Sequence, residues 1–187
     1  MSGLRPAVFL DRDGVLNQPL VRDGVPHPPA SVADLVLAPG AEAACRALRR
    51  AGLLLIVVTN QPDLARGTAE REVVDAINDR LRRDLRLDDV FVCAHDDADG
   101  CACRKPLPGL LLDAARRWNV RLGGSVMVGD RWRDVEAGRR AGCATVLVRR
   151  DDDEPTTTAA GHVAADLGEA VPWILRETGA GAAGGMP

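Results

Sequence analysis

The chain has no tyrosine and few other aromatic residues: two phenylalanines (Phe9, Phe91) and three tryptophans (Trp118, Trp132, Trp173). A platform that stacks bases along a single nucleic-acid strand needs several exposed rings, so that role is excluded and the core has to be aliphatic. No apolar run approaches the roughly 18 residues of a membrane span. Charge of one sign is not blocked anywhere; arginines are scattered along helix-like stretches and the formal net charge is only −3. Neither nucleic acid nor a membrane surface is an expected partner, and a small charged substrate has to be drawn in by local charge. The segment Met1 to Leu10 lacks the long apolar stretch of a secretory leader, from which a cytoplasmic location is expected. With 187 residues, 46% of them apolar, the chain suits one domain burying roughly 70% of its unfolded surface. It is expected to act as a monomer.

What is present is an alternation of short aliphatic runs with amphipathic stretches. Ala7–Leu10 reads as a strand, and residues 41–51 as a helix opened by Pro39-Gly40 and stopped by Gly52. Residues 53–58 are unbroken apolar sequence, the mark of a strand buried on both faces. Thr68 is placed to cap a helix over 70–85, where Val73, Val74, Ile77, Leu81 and Leu85 make one stripe. Strands are predicted at 90–92, 126–128 and 144–148, and helices at 108–118, 133–141 and 167–176. This order predicts an α/β fold, a doubly wound parallel sheet with ligands beyond the carboxyl ends of its strands. The proline-bearing segment 17–38 is expected to be a loop, leaving no large cap domain. Residues 151–158 read as a polar connector and 179–187 as a disordered Gly/Ala-rich tail. A single domain over residues 1–178 follows.

Asp11-Arg12-Asp13-Gly14 comes directly after the first strand. Repulsion and desolvation oppose two ionised carboxylates at a buried strand end unless a cation sits with them. Mg²⁺ suits such oxygen ligands and keeps room for a substrate phosphate. The tetrapeptide therefore points to a magnesium-dependent phosphoryl site with a carboxylate nucleophile. Taken alone it leaves open a solvated turn or a glycosyltransferase-type metal Asp-x-Asp. Position supplies a further clue. Asp11 follows the first predicted strand, Thr59-Asn60 the second, Cys93 and His95 the third, and Gly129-Asp130 the fourth, all on one rim.

Cys93-x-His95 and Cys101-x-Cys103 offer three thiolates and an imidazole over residues 93–103. That donor set fits tetrahedral Zn²⁺, and four protein ligands with no open position indicate a structural, loop-stabilising site. A disulfide is the competing reading, disfavoured in a chain expected in the cytosol. Cys45 and Cys143 read as small core hydrophobes, and His27 and His162 as solvent-facing loop residues. The clip sets the position of Arg104-Lys105, two cations suited to phosphate.

Four segments together resemble the motifs of haloacid dehalogenase superfamily phosphatases: Asp11-Arg12-Asp13-Gly14-Val15-Leu16-Asn17, Val58-Thr59-Asn60-Gln61, Cys103-Arg104-Lys105-Pro106, and Gly129-Asp130 followed by Asp134. The Cys/His pattern is similar to that of a zinc-containing subgroup acting on sugar bisphosphates and histidinol phosphate. The resemblance implies a Rossmann-like sheet and a phosphomonoester hydrolase working through an aspartyl-phosphate. Asp11 is then the nucleophile and Asp13 the acid and base. Mg²⁺ is held by Asp11, the Asp13 main-chain carbonyl and Asp130. Thr59 and Lys105 bind the transferring phosphoryl group, and Arg104 the rest of the substrate, with Asn60, Gln61 and Arg131 as further contacts. Asp134 either orients Lys105 or the metal shell, or serves as a first-turn helix carboxylate.

Substrate choice is divided. Leu64-Ala65-Arg66-Gly67 and Lys105-Pro106-x-Pro108-Gly109 resemble the enzymes that remove the 7-phosphate of heptose 1,7-bisphosphate. Asp96, Asp97 and Asp99 resemble the histidinol-phosphate pattern and would suit an amine better than a second phosphate, unless they simply face solvent. The heptose bisphosphate is the favoured reading, with histidinol phosphate second. A non-catalytic zinc-stabilised binding module is the remote alternative.

Overall fold

The computed structural model describes residues 3–22, 24–149 and 159–180, for Arg22 the backbone only. In chain order its strands are β1 (Ala7–Leu10), β2 (Leu20–Arg22), β3 (Val25–His27), β4 (Leu54–Asn60), β5 (Asp89–Cys93), β6 (Val126–Gly129), β7 (Ala144–Val148) and β8 (His162–Ala164). The α-helices are α1 (Ala41–Arg50), α2 (Asp63–Arg66), α3 (Arg71–Leu85), α4 (Gly109–Trp118), α5 (Trp132–Ala141) and α6 (Leu167–Thr178).

Alternation along the strands builds two cores. Val8 and Leu10 of β1, Leu55 and Val57 of β4, and Val126 and Val128 of β6 face one cluster, where α1, α3 and α6 contribute Leu48, Ile77, Leu81, Leu167 and Ile174. Ala7 and Phe9, Leu54, Ile56 and Val58, and Met127 face the other, closed by Leu110, Leu111 and Ala114 of α4 and Ala137 of α5. The continuous apolar run of β4 is thus needed because both its faces are covered. Truncating a fully buried leucine such as Leu55 to alanine should cost about 2–5 kcal/mol.

The main sheet has six strands in the order β5-β4-β1-β6-β7-β8, and every neighbouring pair is parallel. The chain winds outward from β1 through β4 to β5, then crosses to β6 on the other side of β1. Strand order reverses there, so a crevice opens beyond the carboxyl ends of β4, β1 and β6. The doubly wound parallel sheet expected from the sequence is what forms.

Several details differ from expectation. Segment 17–38 is not all loop: β2 and β3 pair antiparallel, Leu20 opposite His27. Pro26 is tolerated because this two-stranded ribbon has no inner strand for it to interrupt. Strand β8 extends the sheet edge, and His162 lies in it, stacked on Trp173 at 5.2 Å, rather than in a solvent-facing loop. Thr68 does not cap α3; Glu70 holds the N-cap position, and the Thr68 hydroxyl instead reaches the carbonyl of Asp63, the first residue of the extra helix α2, 3.4 Å away. The last helix runs to Thr178, and Ala180, expected in the tail, packs on the first core. The connector 151–158 and the rest of the tail, 181–187, lie outside the described residues.

Candidate active site

The tips of β1, β4 and β6 and the loop leading to α4 bring the predicted polar residues to one crevice. Asp11 leaves β1 with its N–H still donated to the Val128 carbonyl of β6 at 2.9 Å, which fixes it beside Asp130. Carboxylate oxygens of Asp11, Asp130 and Asp134 lie within 4.8 Å of one another. Between them sits the buried Lys105 ammonium, donating to Asp11 Oδ1 at 2.7 Å and to the Val58 carbonyl at 2.8 Å. It also pairs with Asp134 Oδ1 at 2.6 Å. All three ammonium protons therefore have acceptors.

The electrostatics bear the marks of crowding. Burial pushes the Asp11 carboxyl up to about 6, against the pull of Lys105, with Asp134 and Asp13 adding to the rise. Burial works against the Lys105 charge, but Asp11 and Asp134 outweigh it and raise the ammonium above its usual range. Lys105 pairs with Asp11 and Asp134, and Arg131 Nε stands 3.7 Å from Asp130 Oδ2, so three carboxylates converge where a divalent ion would add to the compensation of their charge. The oxygen-only donor set fits Mg²⁺.

Asp134 does both things considered for it. Its Oδ1 holds Lys105, and its Oδ2 accepts from the Arg131 N–H at 3.0 Å, capping the first turn of α5. Its side chain lies directly over Gly129: a Cβ there would stand 2.0 Å from the Asp134 Cβ, so only glycine fits.

Asp13 faces the crevice with a carboxylate gripped from three sides. Arg12, 1% exposed, donates to its Oδ2 through Nε at 3.1 Å and Nη2 at 2.9 Å. Gln61 Nε2 donates to the same oxygen at 3.0 Å, and Asn17 Nδ2 to Oδ1 at 3.0 Å. Gln61 Nε2 also reaches Thr59 Oγ1 at 3.0 Å. Asn60 takes the Lys105 N–H and donates to the Lys105 carbonyl, both at 3.1 Å. These two amides, expected as substrate contacts, brace Asp13, Thr59 and Lys105, and Asn60 also lines the crevice.

The crevice encloses about 380 Å³ and is lined by Asp11, Asp13, Thr59, Asn60, Lys105 and Asp130, with Arg104, Arg131, Arg133 and His27 among the residues around them. Arg133 was not singled out in the sequence, and His27, read there as a solvent-facing loop residue, is exposed but lies in β3 at the crevice. Arg133 could have been, one turn into the helix after Asp130. His27 could not, because only the β2–β3 ribbon carries it there.

Beside the crevice the four Cys/His donors converge, with ligand atoms within 4.8 Å of one another. Sulfur separations are 3.2 Å (Cys93–Cys103), 3.4 Å (Cys101–Cys103) and 3.7 Å (Cys93–Cys101). His95 Nδ1 stands 3.3 Å from Cys103 Sγ and 3.6 Å from Cys93 Sγ. A tetrahedron with metal–sulfur arms of about 2.3 Å has edges of about 3.8 Å, close to these values, whereas a disulfide needs about 2.05 Å. Burial raises the Cys93 and Cys103 thiols, and neighbouring sulfurs raise Cys103 further. Such thiols ionise together only around a cation. Cys45 and Cys143 are buried and free, as expected of core residues.

The acids of this loop do not line the substrate crevice, and Asp97 and Asp99 are exposed to solvent. Arg66 grips Asp96 with two bonds of 2.7 and 2.9 Å, and Arg104 Nε donates to Asp97 at 2.7 Å. Asp99 accepts the Asp96 N–H at 2.7 Å. Asp96 and Asp97 are thus paired with arginines of α2 and of the crevice rim.

A doubly wound sheet with this set of carboxylates and one lysine at its switch point defines a phosphoryl-transfer hydrolase of the haloacid dehalogenase class. The HAD-hydrolase-like family matches residues 102–170. The D-glycero-β-D-manno-heptose-1,7-bisphosphate 7-phosphatase of Bordetella bronchiseptica is 38% identical over 180 residues, covering 91% of this chain and 98% of that protein. The Escherichia coli K12 enzyme of the same name is 34% identical, over 89% and 93% of the two chains. A crystal structure of the Bordetella D,D-heptose 1,7-bisphosphate phosphatase with magnesium and phosphate superposes with a TM-score of 0.77, covering 92% of this chain and 99% of that one. The chain belongs to this heptose-bisphosphate phosphatase family, and it is a phosphoric monoester hydrolase.

Proposed function

We propose that the chain removes the 7-phosphate of D-glycero-manno-heptose 1,7-bisphosphate. The observation that carries this reading is the convergence of Asp11, Asp130, Asp134 and Lys105 in a crevice that also gathers Arg104, Arg131 and Arg133. One set serves the phosphoryl group that is transferred, and the arginines serve a second anionic group on the same substrate.

Asp11 attacks phosphorus in line, forming an aspartyl-phosphate as the bond to the sugar oxygen breaks. Asp13 gives its proton to that leaving oxygen, then takes one from the water that attacks the intermediate, releasing inorganic phosphate and restoring Asp11. Lys105 and Thr59 hold the phosphoryl oxygens. Asp11, Asp130 and the Asp13 main-chain carbonyl would hold Mg²⁺, which when bound neutralises charge on the phosphoryl group. Cys93, His95, Cys101 and Cys103 would hold a structural Zn²⁺ that fixes the loop carrying Arg104 and Lys105.

Phosphate release measured with both anomers of the heptose bisphosphate and with histidinol phosphate tests the reading. A kcat/KM at least about a hundredfold higher for one heptose bisphosphate anomer is expected. Equal or reversed preference overturns the substrate assignment.

A further inference from the structure

Asn78 stands where an apolar residue would serve the core better. It lies on the buried face of α3 among Val74, Ile77, Leu81 and Leu85, and is only 6% exposed. Asparagine is a weak helix former, and a buried polar side chain has to be given a partner. That partner is Arg12: Nη1 donates to Asn78 Oδ1 at 3.1 Å, across 66 positions of chain. Arg12 is itself among the largest fully buried side chains, and its other edge holds Asp13 Oδ2 with Nε and Nη2.

The outcome for Asp13 is asymmetric. Among the described residues, Oδ2 receives two N–H groups from Arg12 and one from Gln61, while Oδ1 receives only Asn17 Nδ2. A carboxylate oxygen offers about two lone-pair directions. Oδ2 is therefore full, and Oδ1 alone has capacity for the oxygen of a reacting group.

We propose that Asn78 is a positioning residue for phosphoryl transfer: through Arg12 it locks the Asp13 carboxylate so that Oδ1 is the oxygen presented to substrate. This inference rests on the reaction proposed above. The guanidinium is a rigid fork, so a fixed point at Nη1 sets the direction of Nε and Nη2. Without it the fork can swing with its Asp13 partner, and small misplacement of a proton-transferring group is costly.

Asn78→Leu is the first test, on the full chain with Mg²⁺ and the bisphosphate. With far-UV circular dichroism unchanged, kcat should fall about ten- to a hundredfold while KM stays within about twofold. Asn78→Asp keeps an acceptor for Nη1 and should restore kcat to within about threefold of the parent. A purely structural role would instead lower the melting temperature of Asn78→Leu while leaving kcat per folded enzyme at the parental value. Arg12→Lys, which retains charge but loses the fork, should reproduce the kcat loss, and it carries the test if Asn78→Leu does not fold. Parental kcat in folded Asn78→Leu or in Arg12→Lys, or failure of Asn78→Asp to restore it, overturns the proposal. Asp13→Asn is run alongside. If that variant turns over normally, the proposed reaction is wrong; if it is inactive while Asn78→Leu is not, only this inference falls.

Discussion

The two polar centres on the rim are assembled in opposite ways. The Cys/His cluster takes all four donors from residues 93–103, so the loop's own course brings them together. The carboxylate–lysine centre takes Asp11 from the end of β1, Lys105 from the approach to α4, and Asp130 and Asp134 from the end of β6 and the start of α5. Strand register, the Asn60 clamp on the Lys105 backbone and the first turn of α5 hold it together. A local centre tolerates movement of the sheet and fails by losing its ion; a long-range centre survives loss of an ion but fails on displacements of an ångström.

The sharpest way to separate them is Asp11→Asn. Turnover should drop by at least about 10⁴-fold with the melting temperature little changed, because the nucleophile goes while Lys105 keeps Asp134. Residual activity near the parental value would break the assignment. Cys101→Ser should do the reverse. Bound metal, read by elemental analysis, should be lost and melting lowered by about 10 °C, roughly 3 kcal/mol for a chain of this size, with activity falling as a consequence of the loosened loop. If stability and activity were both untouched, the clip would not be a structural site.

A smaller effect lies in pH. The Asp11 carboxyl ionises near 3.8 in a model peptide and near about 6 here. Between those values the folded chain holds the extra proton, so its stability falls as pH rises. In the presence of chelator, melting temperature should decline by a few degrees from about pH 4 to 6 through this group. The decline should vanish in Asp11→Asn and flatten with Mg²⁺; a slope identical in Asp11→Asn would assign it elsewhere. Smallest of all is Arg66→Ala, which frees the exposed pair with Asp96. Melting should move by less than about 2 °C and kcat hardly at all. A large kcat loss would mean that the loop acids, through Arg104, reach further into the crevice than their ion pairs indicate.

Much of the fold was legible because burial on two faces leaves unambiguous apolar runs. β1, β4, β6 and β7 announce themselves in this way, and the helices follow from their stripes. The β2–β3 ribbon was not legible, since Pro19, Pro26, Pro28 and Pro29 mask three-residue strands that exist only by pairing with each other. β8 is likewise too short to carry a pattern. At the site, Asp11, Asp13, Lys105, Asp130 and the Cys/His donors could be read because their chemistry is costly anywhere else. The bracing roles of Asn60 and Gln61 could not, because an amide has the same appearance in sequence whether it touches substrate or a neighbouring side chain. Asn78 left only a faint trace, a polar residue within an apolar stripe.

The amino-acid sequence alone determined the layered α/β architecture, the nature of the reactive groups and the donor set of the clip, since each rests on residue type at short spacing. Tertiary structure alone decided how the two oxygens of Asp13 share their donors, that the lysine is shared between two aspartates, and that Asp96 and Asp97 are paired with arginines. Those outcomes depend on distances between segments far apart in the chain, and such distances are fixed only when the strands take their register.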